Sequence, residues 1–501
     1  MEGRGGSEPE RVLIRSLWVG AVIALVACTG EAPLSGTRAN GSAGAAGAVE
    51  YDAITDAVEA AVADLIPGDI TPEIAPVELE ATPPVDHSAR TGEGALVDPL
   101  DLGDGPLVFS RPSRVRGIYL NAWTAGSGPR SQSLIDMARR TEINAFVIDL
   151  KDATGYISHP TDMPLAQEIG ADQEIRIRDL PGLLRRLQRA GIYPIARIVL
   201  SKDPILTEHR PEWAVQDSAG GVWVDDKGVS WANIFDRRVW EYNVALAREA
   251  AAIGFPEIQW DYVRFPDGSD SVMARTVYPG AEERERPEAI RAFLEYASGR
   301  LSEFDVSITA DVFGVTTVAR HDLGIGQLWE RMIDRVDAAL PMVYPSHYGE
   351  GSYGVESPNS RPYEIVRAAL TDARNRSDSV PHAGKTRPWI QDFTLGPPRY
   401  GGPEVRAQIQ AAYDAGIQDW ILWNPSARYS EGGLIPSGGM PSGTELTMSV
   451  AGQEVPVSRR FEFMDEALVA RIAERRLRPL DLPKPRYLEP PRDGVGPVGN
   501  R

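Results

Sequence analysis

The chain has a single cysteine and six histidines in 501 residues. One cysteine excludes an intramolecular disulfide and any Cys-based zinc or iron–sulfur cluster. The histidines are scattered, with no pair on one predicted strand, so neither a binuclear metal hydrolase nor a polysaccharide deacetylase is indicated. No excess of basic residues exists: 52 Lys and Arg stand against 71 Asp and Glu, a formal charge of −19. Nucleic acid is therefore not an expected partner, because phosphate neutralisation needs a basic face. No apolar run is long enough to span a bilayer comfortably, and no Gly-rich phosphate loop follows the first strand. What is present is a globular composition, 42% hydrophobic and 8% aromatic, with 48 Gly and 40 Pro.

The acidity is local. Residues 31–110 carry 15 acids and two bases, Arg38 and Arg90, and so hold −13 of the −19. This stretch, rich in Ala, Gly, Pro and Thr, is expected to be a disordered tether. Within it, Tyr51, Ile54, Val58, Val62 and Leu65 have helical spacing, which fits a transient helix or a docking helix. Ahead of it, Arg11 and Arg15 precede an apolar run from Leu17 to Ala27 of signal-peptide length. That run ends Leu25-Val26-Ala27-Cys28 and resembles the lipobox of bacterial lipoproteins, in which the cysteine is lipidated. The resemblance implies lipidation at Cys28 and a place in the cell envelope, anchored to a membrane. The expected organisation is a signal peptide over 1–27, a tether over 28–110, a catalytic-type domain over 111–478 and a Pro-rich tail over 479–501.

From residue 114, short β-rich runs alternate with helical patterns, which predicts parallel βα units. The strands are expected at 115–123, 145–151, 193–200, 257–265, 306–314, 339–346, 389–393 and 420–424. Helices are expected near 131–142, 178–190, 238–253, 286–303, 327–335, 361–374, 403–415 and 462–476. Eight such units predict an α/β fold, a (β/α)8 TIM barrel with long rim loops. Alternation within strands identifies the inner face. In the fifth strand Val306, Ile308, Ala310 and Val312 face the helices, and Ser307, Thr309 and Asp311 face inward.

Active sites of such barrels lie at the C-terminal ends of the strands. Those ends offer Asn121, Trp123, Asp149, Lys151, Arg197, Asp261, Arg264, Asp311, Tyr344, Gln391, Trp423 and Asn424. Aromatic faces stack on sugar rings, and carboxylates and amides bond hydroxyls. Asp149 and Lys151 share a face and form a candidate ion pair. The 201–235 loop carries Trp213, Trp223 and Trp231, either as sugar platforms or as anchors, with Asp225 and Asp226 as reserve acids. The Gly- and Ser-rich segment 427–445 is expected to be a mobile rim loop.

The runs VRGIYL at 115–120, NAFVIDLKD at 144–152, IYPIARI at 192–198 and QWDYVRFP at 259–266 resemble the bacterial putative glycosyl hydrolase domain family. The runs MVYPSHY at 342–348 and ILWNP at 421–425 extend that resemblance over about 114–430. It implies a glycoside-hydrolase-like barrel acting on glycosidic bonds. Two carboxyls flanking the scissile bond then assign Asp261 as nucleophile and Asp311 as general acid/base. Alpha-amylase-like barrels are similar in placing these groups after strands four and five, although their acid is usually Glu. Asn121, Trp123, Asp149, Lys151, Arg197, Arg264, Tyr344, Gln391, Trp423 and Asn424 are expected to bind substrate. No cofactor and no metal are expected, the substrate is a polysaccharide, and the protein is expected to be a monomer. Two alternatives stay open: a carbohydrate-binding lipoprotein on a degenerate barrel, and a metal-dependent hydrolase using Asp149, Asp261 and Asp311.

Overall fold

A computed structural model describes residues 105–475. The signal peptide, Cys28, the tether as far as residue 104 and the tail from 479 lie outside the described residues. Eight parallel strands form a closed barrel: β1 Arg116–Leu120, β2 Ala145–Lys151, β3 Tyr193–Val199, β4 Glu257–Asp261, β5 Ser307–Phe313, β6 Ala338–Met342, β7 Trp389–Gln391 and β8 Trp420–Trp423. Neighbours follow chain order all the way round: β8 lies between β7 and β1, and Trp389 of β7 pairs with Met342 of β6 to complete the ring. This is the expected TIM barrel. Several predicted strands run two to four residues too long, because the chain leaves the ladder at the rim.

The eight expected helices are α1 Gly128–Arg140, α2 Leu180–Ala190, α3 Arg237–Ile253, α4 Arg286–Leu301, α5 Trp329–Met332, α6 Pro362–Ser377, α7 Gly402–Asp414 and α8 Glu466–Arg475, with shorter helical turns between them. Local chemistry sets their ends. The Asp179 side chain accepts the Gly182 N–H at the start of α2, and Gly191 closes that helix at φ 69°. Outward residues such as Ile118, Phe146, Ile198, Trp260, Ile308 and Val312 pack beneath the helices. Inward ones, among them Tyr119, Val147, Ile195, Leu340, Trp389 and Trp423, fill the barrel. At its lower end the buried Arg387 Nη1 meets Glu257 Oε1 at 2.5 Å.

Three expectations need correction. The helix expected after the eighth strand exists as α8, but it does not cover β8. Its Leu468 joins Tyr353, Tyr363 and Val366 in a separate cluster over α6. The seam between β8 and β1 is instead covered by the first half of the segment expected to be mobile. Leu434 is buried there, Ser437 N–H bonds Arg140 O, and the Tyr429 hydroxyl bonds both the N–H and the C=O of Tyr119. Gly433 is needed at this seam, since a Cβ would sit 2.7 Å from Gly402 O. Finally, contacts with the barrel begin at Leu107 and Phe109, four residues inside the stretch assigned to the tether, because these two side chains are apolar.

Candidate active site

The C-terminal end of the barrel gathers three carboxyls around one guanidinium. Arg197 Nη1 donates to Asp149 Oδ1 at 2.6 Å. Its Nε and Nη2 both donate to Asp261 Oδ2, at 2.9 and 2.5 Å. The second Asp149 oxygen accepts the Tyr119 hydroxyl at 2.5 Å. The second Asp261 oxygen accepts the N–H of Tyr262 at 2.5 Å. Tyr262 itself adopts φ 47°, a left-handed conformation that costs a non-Gly residue roughly 1–2 kcal/mol. The strain turns the chain sharply where β4 ends and leaves Asp261 at the mouth.

Aromatic rings wall this network. Tyr119 stacks on Trp423 with centroids 4.0 Å apart, and Trp389 meets Trp423 edge-on at 5.3 Å. The Arg197 guanidinium lies 5.6 and 5.5 Å from the Tyr119 and Trp423 centroids. The rings exclude water, so the ion pairs act in a medium of low polarity.

Asp311 lies deeper, 1% exposed against 8% for Asp261. Trp389 Nε1 donates to its Oδ1 at 2.7 Å, and Gln259 Nε2 reaches both its oxygens at 3.0 Å. Burial pushes the Asp311 carboxyl well above the ordinary range, and the neighbouring charge of Asp261 pushes it further. The Arg197 charge and the two donors oppose this without reversing it. Asp149 is also raised by burial, against the pull of Arg197. Tyr344 is held protonated by burial and by the charges of Asp311 and Asp261. The site therefore holds two carboxyls in unlike environments, one ion-paired at the mouth and one buried and inclined to carry a proton.

Other predicted residues sit elsewhere. Lys151 does not pair with Asp149. A bulge between them shifts the β2 register against β3, so Lys151 instead meets Asp203 at 2.5 Å, both side chains fully buried, with Tyr242 nearby. Asp203 also accepts the Leu206 N–H, so Lys151 braces the following loop outside the carboxyl cluster. Asn121 accepts the Thr124 N–H and donates to Pro425 O at 2.9 Å. Asn424 donates to Asp392 O and accepts the Ser426 N–H. Gln391 accepts the Ser346 N–H and donates to Phe393 O. These three amides hold rim backbone. Arg264 is buried against Trp231, Tyr262 and Phe313 and bonds Asp267 at 2.9 Å.

The loop tryptophans are anchors. Trp223 and Trp231 are fully buried, bonding Val272 O and Asp225 Oδ2, while Trp213 lies between Arg210 and Arg238. Asp225 and Asp226 are occupied holding this loop. Tyr119, Gln259 and Trp389 belong to the cluster but were not among the expected site residues. Their signal was available, since each shares a strand face with a residue that was. Among the described residues no group of three His, Cys, Asp or Glu side chains is placed to hold a metal ion.

Asp392 gives the rim a pH dependence. Its carboxyl is buried, accepts the Ser430 N–H and hydroxyl at 2.8 and 2.7 Å, and is pushed by burial up to about 7. A carboxyl raised on folding stabilises the native state fully below its unfolded value near 4, and that contribution is lost as pH rises through 7. Asp392→Asn can keep both contacts with Ser430 without the charge. It should gain roughly 2–3 kcal/mol over the native protein between pH 5 and pH 8. Urea unfolding of both proteins across that range reads the difference.

The model of the Putative glycosyl hydrolase domain family matches residues 117–429, from within β1 to the tyrosine that caps it. Among solved structures, a hypothetical protein from Ruminiclostridium thermocellum is 37% identical over 39% of this chain and 97% of its own, with a TM-score of 0.36. The PgaB (BpsB) glycoside hydrolase domain from Bordetella bronchiseptica is 12% identical over 63% of this chain and 95% of its own, with a TM-score of 0.46. An alpha-galactosidase from Thermus thermophilus is 15% identical over 64% of this chain and 60% of its own, with a TM-score of 0.39. No curated protein matches the chain.

Proposed function

The chain belongs to the Putative glycosyl hydrolase domain family, and from that membership we propose an envelope-tethered glycoside hydrolase that cleaves glycosidic bonds in a polysaccharide. The observation that carries the mechanism is the contrast between Asp261 and Asp311 on neighbouring strands. Asp261, at the mouth, attacks the anomeric carbon. The glycosidic C–O bond breaks, and the leaving oxygen takes the Asp311 proton. Asp311, now ionised, removes a proton from water, which attacks the anomeric carbon and releases Asp261. Arg197 orients Asp261. On this reading Tyr344 and Trp423 contact the bound sugar.

A second reading draws on the saturation of the cluster: Arg197 ties Asp149 to Asp261 as a structural network would. On that reading the barrel binds carbohydrate without turnover. Incubating the full-length protein with a panel of cell-envelope and capsular polysaccharides separates the two. Release of reducing ends establishes the hydrolase, whereas binding without release supports the binder.

The tether reading rests on the lipobox-like run at Cys28. Cys28→Ala should move the protein from the membrane to the soluble fraction, and unchanged membrane association would overturn lipid anchoring.

A further inference from the structure

Trp123 is half exposed, 49%, on the short helix Ala122–Gly126 that follows β1. Its support is not. The Arg176 guanidinium lies 5.5 Å from the Trp123 ring and 5.7 Å from the Tyr156 ring, and the Arg176 side chain is 3% exposed. Asp152, Glu174 and the Thr154 hydroxyl all bond that guanidinium. The helix is fixed at both ends. Asn121 ties its start to Pro425, and Gly126 closes onto Arg176, where a Cβ would stand 1.8 Å from the carbonyl oxygen. An indole left in water gives up hydrophobic stabilisation. Here its supporting contacts are locked while the ring stays exposed, which is how a platform is prepared for a ligand.

We propose that Trp123, backed by Arg176 and Tyr156, is a sugar-stacking subsite for an uncharged pyranose in a long glycan chain. The proposal rests on the hydrolase reading and adds the length and charge of its substrate. Pyranose rings present a face of C–H groups that stacks on an indole. Asp152 and Glu174 carry two negative charges against the one of Arg176, so a uronic acid or sulfated sugar is disfavoured there. Trp123 follows β1, and Asp311 belongs to β5, four strands round an eight-stranded ring. The platform's strand therefore lies opposite the acid's strand in the ring, and we take the glycan to span both over several sugars.

The test is binding of neutral β-1,4-linked N-acetylglucosamine, β-1,3-glucose and α-1,4-glucose oligosaccharides of two and eight residues by the full-length protein. Calorimetry gives each affinity for the native protein, Trp123→Ala and Trp123→Phe. The native protein should favour the octamer of at least one series. Trp123→Ala should reduce that octamer-to-dimer ratio about tenfold, and Trp123→Phe should restore most of it. An undiminished ratio in Trp123→Ala overturns the subsite, as does failure of the native protein to bind any of the three series. Thermal melting checks that each variant is folded. Because the readout is binding, loss of the ratio without any hydrolysis would retain the subsite while removing the hydrolase reading.

Discussion

Asp261→Asn should lower kcat by about a thousandfold or more while leaving the fold intact. The amide has the shape of the carboxylate, and its oxygen can still accept from Arg197, which remains paired with Asp149. What it lacks is the charge that forms a bond to the anomeric carbon. Asp311→Asn should behave differently. Its oxygen keeps the Trp389 and Gln259 donors, but it has no proton to deliver. Substrates with poor leaving groups should lose the most, and aryl glycosides that need little protonation should retain measurable turnover. The pH profile adds an independent sign. Activity that needs Asp311 protonated falls as pH rises through its raised value, and this limb should vanish in Asp311→Asn. Rates on one polysaccharide and one activated aryl glycoside, measured across pH for the native protein and both variants, check all three statements. If Asp261→Asn kept native turnover, another group would have to be the nucleophile.

Much of the barrel was legible because each strand alternates faces and each helix is punctuated by its caps. Thr309 and Asp311 point inward and Ile308 and Val312 outward, as period two requires. The same logic locates Asp149, Arg197, Asp261 and Asp311 on the inner face, and a fuller use of it would have added Tyr119, Gln259 and Trp389. It fails at Lys151, because one bulge reverses the face of every later residue and leaves no mark in the sequence. It fails for the loop tryptophans because an indole that stacks on sugar and one that anchors a loop are the same residue. Only burial distinguishes Trp223 and Trp231 from Trp123. The seam between β8 and β1 was misread because a Gly- and Ser-rich composition suggests mobility. There Gly433 serves close packing against α7 instead.

Arg197→Met should destabilise the protein by about 3–5 kcal/mol at neutral pH, since it strands two buried carboxylates that pair with this guanidinium. Asp149 is fully buried and would keep the Tyr119 hydroxyl, while Asp261 would keep the Tyr262 N–H. The penalty should shrink as pH falls. Asp149 is already raised by burial, and Arg197 is what restrains it, so without the guanidinium it takes up a proton at a still higher pH. Urea unfolding at pH 5 and pH 8 should therefore show a smaller gap between native and variant at the lower pH. A gap of equal size would mean that lost packing, not stranded charge, sets the cost. Arg197→Lys separates charge from geometry. It returns one positive charge, but its three N–H donors radiate from a single nitrogen and cannot reproduce the planar fork that spans both carboxylates. Stability should recover in part. If Asp261 must be aimed as well as neutralised, turnover should stay depressed by about a hundredfold even where the folded fraction is complete.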